Sequence, residues 1–172
     1  MDQMVADTGS NTRRSLLLTL MPMTEQQRGR RAIEAGPTGK TAGENLARLR
    51  KIRHLTTRQL SGILESNGRN IPASGITRME KAERQMTVDE LVALAAALRV
   101  TPSTLLLPFT DDPSATVEIT GVGVVGADSA WDWMDGEMPI ERIEPGDRAG
   151  AILQFQLYAR PAHRRMQFGE GD

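Results

Sequence analysis

NLARLRKIRHLTTRQLSGILESNGRNIPASGITRMEKAERQMTVDELVALAAALRVTPSTLLL, residues Asn45 to Leu107, is a run of short amphipathic segments separated by polar connections. Leu46, Leu49 and Ile52 recur on one helical face, so a first helix is predicted from Gly43 or Glu44 to Arg53, with Arg48, Arg50, Lys51 and Arg53 around its other faces. His54 stands where that helix ends and suits a capping role, and Leu55 closes the connection. Thr56 followed by Gln59 is a capping box, in which each side chain satisfies the other residue's free amide; a second helix should start there with Leu60, Ile63 and Leu64 inward. Ser66-Asn67-Gly68 stops it, and Arg69-Asn70-Ile71-Pro72 makes a longer loop than a tight helix pair needs. A third helix, about 74–81, begins near Ala73 or Ser74 and buries Ile76 and Met79. Thr87 with Glu90 is a second capping box, opening a fourth helix whose buried stripe reads Val88, Leu91, Val92, Ala95 and Leu98. Thr101-Pro102 starts a short fifth helix carrying Leu105 to Leu107, and Pro108 ends it.

Outward from this stretch the pattern fades. Residues 1–42 lack periodicity and read as a disordered arm. Within them Thr12-Arg13-Arg14-Ser15-Leu16-Leu17-Leu18 superficially resembles a twin-arginine export signal, but the apolar run is cut by Thr19 and Pro22 and no A-x-A site follows. Translation from Met21 or Met23 is an open alternative. Downstream, Thr116 to Val125 is β-branched and partly alternating, which predicts a strand. Trp131 and Trp133 follow in an acidic setting that does not read as a good helix; at least one should pack, against the fourth helix or a partner chain. Asp147 to Arg160 has room for a last helix with Ala151, Leu153, Phe155 and Tyr158 available for packing.

Charge is strongly segregated although the net is only −1. Residues 40–86 hold ten bases against four acids, about +6, whereas residues 87–172 hold fourteen acids against six bases, about −8. A local cationic surface is what a polyphosphate partner requires, and the whole-chain value hides it. With aromatics at only 3%, the core must come from Leu, Ala, Val, Ile and Met, which favours helical packing. The absence of cysteine excludes disulfides, zinc-thiolate sites and thiol catalysis. No apolar run reaches membrane-spanning length.

Leu46, Leu49, Arg50, Leu55-Thr56, Leu60, Ile76, Arg78, Glu80, Leu91, Ala95, Leu98 and Val100, in this order, resemble the helix-turn-helix domain of lambda-repressor-like (Cro/CI, XRE-type) transcriptional regulators, of the actinobacterial type. The resemblance implies a mainly α protein. A five-helix DNA-binding domain at 43–108 would lie between the disordered N-terminal arm (1–42) and a small acidic C-terminal extension (109–172) with a short strand and a last helix. It implies that the third helix enters the major groove of double-stranded DNA, where side chains at its N-terminal turn read base edges. Ala73, Ser74, Thr77 and Arg78 are then the base-contacting residues, with Arg78 suited to the O6 and N7 of guanine. Thr57 matches a position that contacts phosphate at a helix N-terminus, with less reach than the family's usual Gln. Arg58, Arg69, Lys81 and Arg84 are candidate phosphate contacts, joined by Asn70. The family pattern pairs Arg50 with Glu80 as a structural brace between the first and third helices. This chain departs from the pattern at Ala82, where the family commonly has Gly, and in its longer loop before the third helix.

The resemblance implies a cytoplasmic, homodimeric regulator, most simply a repressor, with the acidic segment serving dimerisation or a protein partner and no membrane involved. The rival is a protein-interaction adaptor or antitoxin-like module using the same helical domain and Trp-containing tail. No catalytic residue, metal site or cofactor is expected. His54 and His163 have no partner at metal-ligand spacing. Gly121-x-Gly123-x-x-Gly126 is a formal GxGxxG without the strand-then-helix context that a dinucleotide site needs.

Overall fold

The computed structural model describes residues 35–112, 114–144 and 146–165. The expected arm up to residue 34, the twin-arginine-like segment and both alternative starts lie outside them. The described chain is mainly helical with one small sheet: α1 (Pro37–Ile52), α2 (Thr57–Ser66), α3 (Ala73–Glu80), α4 (Val88–Leu98), α5 (Pro102–Leu106), β1 (Thr116–Ile119), β2 (Gly123–Gly126), α6 (Ala127–Met134) and α7 (Arg148–Ala159). A 3₁₀ turn at Ala162–Arg164 follows. Among the described residues no helix is long and apolar enough to cross a membrane.

Helix α1 starts well before Gly43, so residues 37–42 are not part of an irregular arm. Pro37 occupies its first turn, where a missing N–H costs nothing. That turn is fastened from outside: the Thr38 N–H donates to Thr120 Oγ1 (3.4 Å), and the Thr120 N–H donates to Thr38 Oγ1 (2.9 Å). Both capping boxes form, Thr56 with Gln59 and Thr87 with Glu90. Leu46, Leu60, Leu64, Ile76, Met79, Leu94, Leu98 and Leu105 close one core.

The face of α4 differs from the expected stripe. Val88 (78% exposed) and Val92 (52%) point outward, while Leu94, Ala95, Leu98 and the Glu90 side chain are buried. The helix is apolar nearly all round, so periodicity alone does not fix its rotation; Glu90, held inward by its capping bonds and by Arg84, does.

Four helices close with the same hydrogen-bond pair, in which two successive amides turn back on the last turn. These are His54 and Leu55 after α1, Gly68 and Arg69 after α2, Ala82 and Glu83 after α3, and Arg99 and Val100 after α4. The first residue of each pair takes a positive φ: 54° at His54, 80° at Gly68, 55° at Ala82 and 53° at Arg99. The alanine at 82 therefore neither lengthens α3 nor redirects the chain. It accepts a left-handed backbone at a steric cost of about 1 kcal/mol. Ala82→Gly should accordingly raise stability by roughly 0.5–1 kcal/mol in denaturant unfolding; a loss would show that the methyl group packs usefully.

The C-terminal segment is an integral layer of this fold. The expected strand is an antiparallel hairpin, β1 with β2, paired from Thr116–Gly126 to Ile119–Gly123. Gly121 and Gly123, at φ 82° and 97°, shape its turn, so the formal GxGxxG lies across a hairpin. Residues 127–134 are helical after all, started by Gly126, with Ala127 and Ala130 buried. Val117, Ile119 and Ala130 form a second apolar cluster with Leu107, and both tryptophans pack against it rather than against α4. Trp131 Nε1 also donates to the Pro108 carbonyl at 3.3 Å. Leu107, at the end of α5, thus shares its packing with the hairpin and α6. In α7, Ile152 and Gln156 face inward, whereas Leu153 and Tyr158 are exposed.

Candidate nucleic-acid interface

Helix α3 is held from behind and free in front. Ile76 and Met79 are fully buried, which rotates Ser74 and Arg78 to the surface and leaves Ala73 and Thr77 half-buried at the margin. The Thr77 hydroxyl donates to the Ala73 carbonyl at 3.0 Å, so its proton is committed to its own helix while its methyl and remaining lone pair stay available. The Arg78 side chain has no ion pair or hydrogen bond among the described residues, and Lys81, the C-cap of α3, is exposed.

The connection before α3 is long because one residue of it belongs to the core. Ile71 is 1% exposed, and its carbonyl accepts a 2.7 Å hydrogen bond from Ser61 Oγ on α2. That bond and the buried side chain fix the start of α3 without a short turn. Arg69 and Asn70 lie just before this anchor, Arg69 half-buried and Asn70 exposed.

The far end of α3 is fixed by α1. Arg50 meets Glu80 in a bidentate pair, Nε to Oε1 at 2.6 Å and Nη2 to Oε2 at 2.9 Å, while Nη1 donates to the Leu55 carbonyl at 2.8 Å. The hydrogen bonds to Glu80 raise the Arg50 pKa above its usual range; burial acts against this and the Glu80 charge adds to it. Gly43 completes the grip: a methyl group there would stand 2.5 Å from the Met79 carbonyl oxygen. Only glycine lets the two backbones approach this closely.

At the start of α2, Thr57 is half-buried and Arg58 exposed. The capping box satisfies the Thr56 and Gln59 amides, leaving those of Thr57 and Arg58 for an outside acceptor. Arg84 is placed differently from expectation. Its Nη2 lies 2.6 Å from Glu90 Oε1, so it braces the turn after α3 against α4 instead of standing free for a phosphate. Burial pushes the Glu90 carboxyl up, but the Thr87 amide and the Arg84 guanidinium together hold it below the usual carboxylate range.

With Arg50 and Arg84 neutralised internally, eight bases face three acids over residues 40–86. The cationic excess thus survives the internal pairing. Asn45 and Gly43, to which the sequence pattern assigns no role, both sit in the extended buried stripe of α1. Asn45 Nδ2 donates to the carbonyls of Leu105 (3.2 Å) and Leu107 (2.6 Å), tying α1 to α5. The detectable signal was a polar residue inside an apolar repeat, directly before Leu46.

A cleft of about 530 Å³ lies elsewhere, between β2, α6, residues 138–144, Gly146 and Arg148. Among the described residues no group of three or more His, Asp or Glu could hold a metal ion. Comparison with protein-family models, curated proteins and solved structures returns no match for this chain.

Proposed function

We propose that this protein is a sequence-specific DNA-binding transcriptional regulator, a cytoplasmic repressor in which α1–α5 form a lambda-repressor-like domain and α3 lies in the major groove. The observation that carries this reading is the contrast between the two sides of α3. Its back is fixed at both ends, by Ser61 on the Ile71 carbonyl and by Gly43 and Arg50 at Met79 and Glu80. Its front presents Ser74 and an unpaired Arg78 on a locally cationic surface. A base-reading element needs that rigidity, because bidentate contacts to a base edge tolerate little displacement.

In this reading Ala73, Ser74, Thr77 and Arg78 touch bases, while Thr57, Arg58, Arg69 and Lys81 touch phosphates. A module this small gains affinity by pairing on two half-sites about one helical turn apart, so the regulator acts as a homodimer. The exposed Leu157 and Tyr158 (90%) on α7 favour a protein contact for the C-terminal segment alongside DNA.

The test is selection of bound DNA from a random pool, followed by variants on the selected site. Arg78→Ala should cost about 1–3 kcal/mol there and relax preference at one base position. Arg58→Ala should weaken binding to all sequences and reduce the salt slope by about one. Weak, salt-insensitive binding with no enriched sequence would instead support the adaptor reading, in which the same helices dock a protein.

A further inference from the structure

A second cationic feature lies apart from α3. The C-terminal ends of α1, α2 and α4 border a cleft of about 450 Å³. Leu55, Ile63, Ala97 and Leu98 supply its apolar side, and Arg53, Asn67 and Arg99 its polar side. Among the described residues no acidic one lines it. Neither arginine has an ion pair among the described residues.

Arginines near helix C-termini commonly serve to satisfy the last free carbonyls. Here that task is largely done by the backbone. The amides of residues 53–55 return to α1, those of residues 67–69 to α2, and those of Arg99 and Val100 to α4. Among the described residues the two guanidiniums make one bond, a long one, from Arg53 Nη2 to the Arg99 carbonyl at 3.5 Å. Arg99 itself holds a left-handed backbone, φ 53°, where glycine would be the unstrained choice. Two guanidiniums thus keep most of their donors beside a half-apolar hollow of small-ligand size.

We infer that this cleft binds a small organic anion, a carboxylate or phosphate on an apolar body, with the charged end between Arg53 and Arg99 and the body on Ile63 and Ala97. The apolar side sets it apart from a nucleic-acid phosphate contact, which needs no hydrophobic bed. The inference is independent of DNA binding by α3 and stands or falls without it.

The experiment is calorimetric titration of the full chain with phenyl phosphate, inorganic phosphate and benzyl alcohol, at fixed ionic strength. Phenyl phosphate should saturate one site, with inorganic phosphate and benzyl alcohol each at least about tenfold weaker, since each lacks one half of the recognition. Arg99→Gly removes the guanidinium while suiting the backbone, and Arg53→Gln removes the other on an exposed position; each should weaken phenyl phosphate about tenfold or more. Arg53→Glu should abolish it. Unchanged far-ultraviolet circular dichroism and a melting temperature no lower than wild type, with Arg99→Gly somewhat higher because its φ of 53° suits glycine, assign the loss to the site. Absence of saturable phenyl phosphate binding overturns the inference. So does equal binding of inorganic phosphate, or retention of affinity in both Arg99→Gly and Arg53→Gln.

Discussion

Gly43→Ala is expected to destabilise the protein by about 1–3 kcal/mol, the cost of forcing a methyl group into a filled contact. The group it would strike is the Met79 carbonyl, 2.5 Å away, with the Glu80 carbonyl at 3.3 Å. Backbone at the end of a packed helix cannot swing aside as a side chain can, so α1 and α3 must separate or α3 must tilt. Intrinsic propensity points the opposite way, because alanine inside a helix is favoured over glycine by roughly 0.5–1 kcal/mol. Gly62→Ala isolates that term: Gly62 lies inside α2, and nothing stands within 4 Å of its added methyl group. Chemical denaturation should therefore show Gly62→Ala gaining up to about 1 kcal/mol while Gly43→Ala loses. If both gained, the close approach of α1 to α3 would be wrong. In the proposed regulator, a tilt of α3 would also lower affinity for the selected site more than for random DNA.

That contact illustrates which features the sequence makes legible. The starts of α2, α4 and α5 depend on chemistry within four residues, Thr56 with Gln59, Thr87 with Glu90 and Thr101 with Pro102, and each is readable without knowing the fold. The inward pair Ile76 and Met79 is local in the same sense. The remaining features depend on partners beyond that four-residue reach. Residues 37–42 are helical because Thr120, 82 positions after Thr38, holds their first turn. Thr38, Gly39, Thr41 and Gly43 by themselves are weak helix formers with no apolar repeat. The rotation of α4 is set by Arg84 on Glu90, and the inward face of α7 by Gln156 reaching the Glu137 carbonyl. At the candidate site, the exposure of Arg78 followed from the spacing of its buried neighbours. The engagement of Arg84 did not, since a surface arginine and a brace look alike until the carboxylate that meets it is known.

Arg50→Met should cost about 2–4 kcal/mol, more than the arginine's own packing explains. The Arg50 and Glu80 side chains are only 13% and 11% exposed, so the substitution strands a carboxylate in a poorly hydrated place and removes the donor from the Leu55 carbonyl. The penalty belongs chiefly to the partner left behind. Glu80→Leu added to Arg50→Met removes that partner too, and the double variant should recover most of the lost stability. Denaturant unfolding of wild type, both single variants and the double variant gives the coupling directly; additive losses would mean that the two groups do not depend on each other. The double variant also separates stability from orientation. A leucine–methionine contact can hold α1 near α3, but it lacks the two directed bonds that set the angle of the helix end. If α3 reads DNA as proposed, the double variant should be nearly as stable as wild type yet discriminate poorly between the selected and random sequences. Full discrimination in that variant would assign the alignment of α3 to Gly43 and Ser61 alone, and would leave the ion pair no part in binding.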